Sequence, residues 1–150
     1  MLYLGIDPGL SGSLAWIKSQ NTVVDARRFK DVTEKELSVL ICELKTMNTN
    51  VVAIIEHVHA FPKQGVSSVW KFADQNGMVR GLLIAHQIPF KLVSPMKWMG
   101  WYNMKRDKAE TKSAWKRRLR GKAQELFPTA TVNAENADAI LIAEYCRKCF

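Results

Sequence analysis

The chain has 150 residues, of which 47% are hydrophobic, and its formal net charge is +8 at pH 7. This length suits one domain with a substantial core, and no segment approaches the roughly 18 consecutive apolar residues that a membrane-spanning helix requires. The first residues lead into a strand-like pattern without a charged leader, so we expect no signal peptide and a cytoplasmic protein, and the odd number of cysteines argues against a disulfide framework.

The first part of the chain predicts four strands and one helix. Apolar runs predict strands at residues 2–7, 13–18, 22–29 and 51–56, and the glycines between the first two mark a tight turn. Thr33 followed by Glu36 forms the sequence pattern of a capping box, which predicts a helix that ends near Met47.

The second part of the chain is mainly helical. We predict a long helix from about Val66 to His86, a strand over 89–94 and a short helix that begins at Pro95. A further helix is expected from about Lys108 to Phe127, where Pro128 stops it, and the last helix is expected to follow Asn133 as its N-cap and reach about Cys149. This order predicts one α/β domain over residues 1–150, with a five-stranded mixed sheet flanked by helices.

The long helix contains small residues at a strict spacing of four. These residues are Ala73, Gly77, Gly81 and Ala85. Glycine inside a helix costs about 1 kcal/mol relative to alanine, so the stripe indicates close approach by another element. Two interpretations remain open: packing of the helix on its own sheet, or a contact between subunits.

Four acidic residues stand at positions where their side chains can meet. Asp7 and Glu56 each end an apolar strand, and Glu135 and Asp138 lie three residues apart at the predicted start of the last helix. Clustered and buried carboxylates repel one another unless a cation is present, and hard oxygen ligands suit Mg²⁺ or Mn²⁺. Asp138 stands within an apolar stretch, so it needs a cation nearby, although a salt bridge in the core would satisfy the same need.

The positive charge is concentrated in one segment, Lys105–Lys122. Its basic residues are Lys105, Arg106, Lys108, Lys112, Lys116, Arg117, Arg118, Arg120 and Lys122. On the predicted helix, one face carries a basic residue at every fourth position, namely Lys108, Lys112, Lys116 and Arg120. Another face is apolar and consists of Trp115, Leu119, Ala123 and Leu126. A basic face of one sign predicts contact with the phosphates of a nucleic acid, and the nearby Trp98, Trp101 and Tyr102 could stack on unpaired bases.

Several of these motifs together resemble the RuvC-type Holliday junction resolvases. The motifs are Gly5-Ile6-Asp7-Pro8-Gly9 with Ser11-Gly12, Ile55-Glu56, and Ala137-Asp138-Ala139-Ile140-Leu141-Ile142-Ala143. The resemblance covers essentially the whole chain and is closest to the short phage and poxvirus-like members, which also suit Pro62-Lys63-Gln64-Gly65-Val66-Ser67-Ser68 and Leu126-Phe127-Pro128. It implies a ribonuclease H-like fold, a homodimer, and metal-dependent cleavage of branched DNA such as a four-way junction.

The resemblance also implies roles for the acids. Asp7 corresponds to the acid of the first strand that bridges two metals, Glu56 to the acid that ends the fourth strand, and Asp138 to the acid of the Asp-Ala motif. Glu135 stands where family members usually have aspartate, so its longer side chain is expected to ligate in a different geometry or through water. Two Mg²⁺ or Mn²⁺ ions about 4 Å apart would activate a water and stabilise the leaving oxygen, giving 5′-phosphate and 3′-hydroxyl ends.

The predicted DNA-binding residues follow from the basic segment and from the loop after Glu56, in which some relatives place a wedge residue. They are Lys105, Arg106, Lys108, Lys112, Lys116, Arg117, Arg120, Phe61 and Lys63. We interpret His57 and His59 as loop residues rather than proton-transfer groups. The pair Cys146 and Cys149 is interpreted as two thiols without a metal or redox role.

Three other functions are compatible with parts of the pattern. The opening motif also resembles the phosphate loop of the sugar-kinase and actin superfamily, but those proteins need two such domains. A branched-DNA-binding domain without catalysis would not need the acids, which weaken phosphate binding in the absence of metal. A related nuclease that acts on flaps, forks or RNA remains an open alternative.

Overall fold

The computed structural model describes residues 1–20, 24–58 and 65–150, and these ranges contain five strands and five α-helices. The strands are β1 (Leu2–Asp7), β2 (Ser13–Lys18), β3 (Val24–Arg28), β4 (Val51–Glu56) and β5 (Phe90–Val93). The helices are α1 (Glu34–Thr46), α2 (Val66–Ala85), α3 (Pro95–Trp101), α4 (Lys112–Leu126) and α5 (Ala137–Cys149). The predicted order of elements is confirmed, whereas the predictions for His59, Phe61 and Lys63 lie outside the described residues.

The strands form one mixed sheet in the order β3-β2-β1-β4-β5. The first three strands are antiparallel neighbours joined by short connections, and β4 and β5 add to β1 in parallel. Parallel neighbours need crossover connections, which α1 and α2 provide. The carboxyl ends of β1 and β4 therefore lie side by side at the same edge of the sheet.

The sheet is covered on both faces, so β1 and β4 are apolar along their whole length. One face packs on α1 and α2 through residues such as Leu37, Ile41 and Leu83. The other face packs on α3, α4 and α5, whose buried side chains include Trp98 and Leu119. None of the described helices is long and apolar enough to cross a membrane.

Helix α5 lies very close to β1, and Gly5 makes this approach possible. A Cβ atom at Gly5 would lie 2.1 Å from the backbone nitrogen of Ala143 and 2.2 Å from the carbonyl oxygen of Ala139. Only a residue without a side chain fits there. The glycine of the first strand therefore determines how near the last helix comes to Asp7.

Two helix starts differ from the prediction. Helix α4 begins at Lys112, because the Thr111 hydroxyl accepts a hydrogen bond from the backbone N–H of Ala114 at 3.2 Å and caps the helix there. The prediction that this helix begins at Lys108 is wrong, and Lys108 lies in the preceding loop.

The capping box of Thr33 and Glu36 at the start of α1 is confirmed.

The last helix begins at Ala137, not directly after Asn133. The Asn133 side-chain oxygen accepts hydrogen bonds from the backbone N–H groups of Glu135 and Asn136 at 2.9 and 3.0 Å, which forms a turn before the helix. The predicted N-cap at Asn133 is therefore wrong. As a consequence, Glu135 is in a turn and Asp138 is in a helix, so the two do not form a helical pair.

Smaller differences occur at strand ends. The third strand ends at Arg28 because Phe29 begins a 3₁₀ turn over Phe29–Asp31, and the fifth strand is one residue shorter at each end than predicted. Residues 22 and 23 of the predicted third strand lie outside the described residues.

The small-residue stripe on α2 points away from the sheet. Ala73, Gly77, Gly81 and Ala85 are all exposed. A Cβ atom at Gly77 or Gly81 would have nothing within 4 Å. The interpretation that this stripe packs the helix on its own sheet is therefore wrong, and α2 is anchored instead by its buried Val79 and Leu83.

Candidate active site

Asp7 and Glu56 come together at the edge of the sheet. The parallel register aligns Ile6 with Ile55, so the next residue of each strand is the neighbouring acid. Successive side chains of a strand point to opposite faces of the sheet. Asp7 is therefore on the same face as Tyr3, and Glu56 on the same face as Ile54, which is the face that packs on α5. The Asp7 carboxylate accepts a hydrogen bond from the Gly9 N–H at 3.0 Å, so the tight turn after β1 fixes its orientation.

Helix α5 supplies Asp138 to the same place. Its carboxylate is buried, and its Oδ2 atom contacts the Lys116 ammonium, which comes from α4. Its Oδ1 atom is also buried and has no hydrogen-bond partner among the described residues. An unsatisfied buried oxygen of this kind is costly, so this carboxylate is only half compensated.

The three carboxylates influence one another electrostatically. Burial, the charge of Asp7 and, to a smaller extent, that of Asp138 raise the pKa of Glu56 to about 7, against the opposing hydrogen bond from Trp98. Burial and the charge of Asp138 raise the pKa of Asp7, although the Gly9 hydrogen bond opposes the shift. These mutual effects mean that Asp7, Glu56 and Asp138 lie within electrostatic range of one another, as predicted, and their role as a shared metal site stays a prediction.

Lys116 is part of this cluster and was predicted only as a DNA-binding residue. Burial opposes its charged form, but attraction by Asp138, Asp7 and Glu56 outweighs that effect and raises the pKa of Lys116. The sequence contains one signal that Lys116 points partly inward. It directly follows Trp115, a residue of the apolar face of α4, and therefore lies at the border of that face.

Glu135 does not join the other three acids. Its carboxylate is bound by the Lys30 ammonium at 2.6 Å and by the Arg28 guanidinium at 2.8 Å. Hydrogen bonds from Lys30 and Arg28 lower the pKa of Glu135. The backbone of Glu135 nevertheless lies near the acids, because its carbonyl oxygen accepts a hydrogen bond from the buried Ser13 hydroxyl at 3.1 Å, and Ser13 is paired with Asp7 in the sheet.

Trp98 orients the Glu56 carboxylate, and no feature of the sequence indicated this contact. Its indole N–H donates a hydrogen bond to the Glu56 carboxylate at 2.9 Å, and the ring is fully buried under the sheet. Trp98 is therefore a core residue and not a base-stacking residue. Trp101 is 54% exposed and remains available for stacking, whereas Tyr102 is half-buried and donates a hydrogen bond to the Leu141 carbonyl at 2.6 Å.

Most of the predicted DNA-binding residues lie at the surface, in the loop before α4 and on α4 itself. Lys105, Arg106, Lys108, Lys112, Arg117 and Arg120 are exposed. Arg118 instead forms an ion pair with Glu110 at 2.9 Å and lies over the Trp115 ring. Trp115, Leu119 and Ala123 are buried, which confirms the apolar face that docks α4 on the core.

The three carboxylates have the chemistry that a divalent cation requires, but their side chains do not surround a common point. In the described part of the chain, no group of three or more His, Cys, Asp or Glu side chains is positioned to hold a metal ion. The oxygen donors of Asp7, Glu56 and Asp138 suit a hard cation, and the unpartnered Asp138 oxygen provides a free ligand atom. The chemistry of these donors therefore suits a divalent ion, which would have to take the place of the Lys116 ammonium at Asp138.

Burial keeps the Cys146 thiol in its protonated form. Cys146 is buried and Cys149 is exposed, and burial and the neighbouring Cys149 raise the pKa of the Cys146 thiol to about 12. A thiol in this state is a poor nucleophile and metal ligand. The interpretation of this pair as thiols without a metal role is consistent with these surroundings.

The structure is similar to two solved structures of RuvC from Thermus thermophilus. The alignment with RuvC in complex with a Holliday junction substrate has a TM-score of 0.62 and 16% identity and covers 95% of this chain and 90% of that chain. The alignment with a second RuvC structure has a TM-score of 0.57 and 16% identity and covers 95% and 91% of the two chains. No protein-family model and no curated protein sequence matches the chain. The likeness establishes the predicted ribonuclease H-like fold, and the phage and poxvirus-like branch stays a prediction.

Proposed function

We propose that the protein is a metal-dependent endodeoxyribonuclease that resolves four-way DNA junctions by paired cleavage. The observation that carries this proposal is that Asp7 and Glu56 end neighbouring parallel strands and that Asp138, within electrostatic range of both, contacts Lys116 of the basic helix α4. The solved RuvC structure in complex with a Holliday junction substrate supports the choice of branched DNA as the substrate.

Asp7, Glu56 and Asp138 would hold two Mg²⁺ or Mn²⁺ ions, with Glu135 as a fourth ligand. Glu135 can join only if it leaves Lys30 and Arg28, with which it forms ion pairs. Bound divalent cations supply an activated water and stabilise the leaving oxygen in hydrolysis of a phosphodiester. The protein itself holds the ligands in position through the Gly9 N–H at Asp7 and the Trp98 indole at Glu56.

Cleavage of synthetic DNA tests this proposal. Wild-type protein with Mg²⁺ is expected to cut a four-way junction in preference to flaps, forks, RNA hybrids and linear duplex, and to leave 5′-phosphate ends. Asp7→Asn should reduce the rate by at least about 1,000-fold, because it removes a carboxylate shared by the metal ions, while junction binding in a gel-shift assay persists. Wild-type turnover by this variant would sink the nuclease assignment, and a preference for flaps, forks or RNA would favour the alternative substrate class.

The DNA-binding surface is proposed to be the exposed basic side of the loop before α4 and of α4 itself. Its residues are Lys105, Arg106, Lys108, Lys112, Arg117 and Arg120, with Lys116 at its inner border. Phe61 and Lys63 are proposed to add contacts at the crossover. Charges on this surface are close to the acid cluster, because Lys116 on the same helix contacts Asp138.

Reversing the charge of Lys112 and Arg120 should weaken the binding of every DNA structure. Both residues are exposed, so we expect the double change to glutamate to leave folding intact and to flatten the plot of log K against log salt by roughly 0.9 for each lost phosphate contact. Fluorescence anisotropy over a salt series measures this slope. Lys35→Glu, which changes an exposed charge on α1 across the sheet, is the control, and an unchanged slope in the double variant would mean that α4 does not contact phosphates.

A two-fold homodimer is proposed, with the outer face of α2 in the contact. Paired cuts at a junction require two active sites with matching symmetry, which a two-fold dimer provides. Beside the exposed glycines of α2, Trp70 is 73% and Ile84 is 65% exposed, which is unusual for large apolar side chains. The glycines would allow a second helix to approach closely.

Gly81→Leu should disrupt this dimer. A Cβ atom at Gly81 has nothing within 4 Å and the position is exposed, so the fold is expected to persist while the subunits separate, and paired cuts should become single nicks. Light scattering and a cruciform-plasmid assay measure the two effects. Cys42→Leu, which adds a similar side chain to the exposed surface of α1, is the control; a wild-type monomer with and without junction DNA would contradict the dimer.

A further inference from the structure

We propose that Lys116 is a built-in cation of the active site, which occupies a metal-binding oxygen of Asp138 until a divalent ion displaces it. This inference rests on the proposed metal-dependent function and concerns how the site is loaded. The released lysine would then bind a DNA phosphate, so that metal and DNA assist each other's binding.

The first argument is the contact itself. The Lys116 ammonium binds one carboxylate oxygen of Asp138, and Asp138 is one of the three proposed metal ligands that converge. Both α4 and α5 are fixed by their buried faces, so packing holds the backbones of Lys116 and Asp138 at a distance that their side chains can bridge. A charge-assisted hydrogen bond to a buried carboxylate is among the stronger polar contacts in proteins.

The second argument is that the lysine compensates the cluster only in part. A single ammonium faces three carboxylates, and the other Asp138 oxygen is buried without a hydrogen-bond partner in the described ranges. A divalent ion carries twice the charge of the ammonium and accepts several oxygen ligands. It can therefore also bind the Asp138 oxygen that Lys116 leaves without a partner. The ammonium is therefore a replaceable occupant.

The third argument concerns where the lysine goes. Lys112 and Arg120 lie one helical turn before and after Lys116 and are exposed on the proposed DNA-binding surface. The flexible lysine stem lets the ammonium swing from Asp138 toward this row. Because a phosphate there would attract the ammonium away from Asp138, junction DNA should tighten metal binding, and by linkage metal should tighten DNA binding.

Metal titration of the complete chain without DNA tests the competition. Lys116→Met keeps the length of the side chain and removes its charge, so we expect its calorimetric Kd for Mn²⁺ to be about tenfold lower than that of wild type, equivalent to about 1.4 kcal/mol of lost competition. Lys116→Arg retains a cation and should stay near the wild-type value. Lys112→Met removes a charge one turn away and should also leave the Kd unchanged.

A second measurement uses the wild-type protein and does not depend on the folding of a variant. In nitrogen-15 NMR of lysine side chains, the Lys116 ammonium should exchange slowly with water in EDTA, because it is held at a buried carboxylate, and should become like an exposed lysine at saturating Mg²⁺. A signal that stays unchanged while Mg²⁺ binds would overturn the inference.

The outcomes separate this inference from the nuclease proposal. If wild type binds Mn²⁺ and cuts junctions but Lys116→Met binds Mn²⁺ no more tightly, the lysine is not a competitor and only this inference fails. If Asp138→Asn binds metal and cuts DNA like wild type, Asp138 does not hold the metal, and the inference fails while the nuclease proposal stands. If wild type neither binds Mn²⁺ nor cuts junctions, the proposed function fails together with the inference.

Discussion

Replacing Glu56 by glutamine is expected to stabilise the metal-free protein at pH 8 while abolishing DNA cleavage. The folded-state pKa of Glu56 is about 7, above the ordinary value of 4.5. Between these values the folded protein holds more protons than the unfolded chain, so stability falls as the pH rises. Above pH 7 the wild type carries the full penalty of about 3 kcal/mol, and Glu56→Gln avoids it while keeping an oxygen for the Trp98 hydrogen bond.

Urea unfolding in EDTA at pH 4 and pH 8 measures this effect. The variant and wild type should differ little at pH 4, where Glu56 is protonated in both states, and the variant should be more stable at pH 8. Glu125→Gln, at an exposed position, is the control and should change stability by less than about 0.5 kcal/mol at either pH. Equal differences at both pH values would contradict a buried, ionising Glu56.

Gly5→Ala is expected to destabilise the protein by at least about 3 kcal/mol. The added methyl group would lie 2.1 Å from the Ala143 backbone nitrogen, so helix α5 must move away from β1 as a body. Because Asp138 is on the first turn of α5, the same movement should separate it from Asp7 and reduce cleavage by about 100-fold in any protein that folds. Chemical unfolding and junction cleavage at low temperature measure the two effects.

Gly121→Ala is the matched control for this prediction. Gly121 lies within α4, where a Cβ atom meets nothing within 4 Å, so alanine should stabilise the helix by up to about 1 kcal/mol. If Gly5→Ala had the stability of wild type, the close contact between α5 and β1 would not be required for the fold.

The order of the elements followed from the sequence because each element has a strong local signal. Continuous apolar runs marked β1 and β4, which are buried on both faces, and the capping box at Thr33 marked the start of α1. The start of α4 was predicted too early because basic residues favour helices, whereas Thr111 caps the helix one turn later. A local cap decided this boundary.

The site was partly predictable for the same reason. Asp7 and Glu56 end adjacent parallel strands, and the ends of parallel strands meet at one edge, so their convergence follows from topology. Glu135 was placed with Asp138 by its spacing and by the family resemblance. The Asn133 turn instead removes it from the helix, and Lys30 and Arg28 bind it. Contacts between residues more than 100 positions apart in sequence have no local signal.

The sequence by itself determined the acidic residues, the basic segment and the order of strands and helices, because these depend on residue type and local periodicity. Only the tertiary structure decided that Lys116 turns inward to Asp138, that Trp98 holds Glu56, and that the glycines of α2 face outward. These outcomes depend on how closely helices pack on the sheet and on which side chains then share the space. The close approach of Gly5 to Ala143 brings the start of α5 near the end of β1, so the charge of Asp138 acts on Asp7, and the Lys116 ammonium compensates part of that charge.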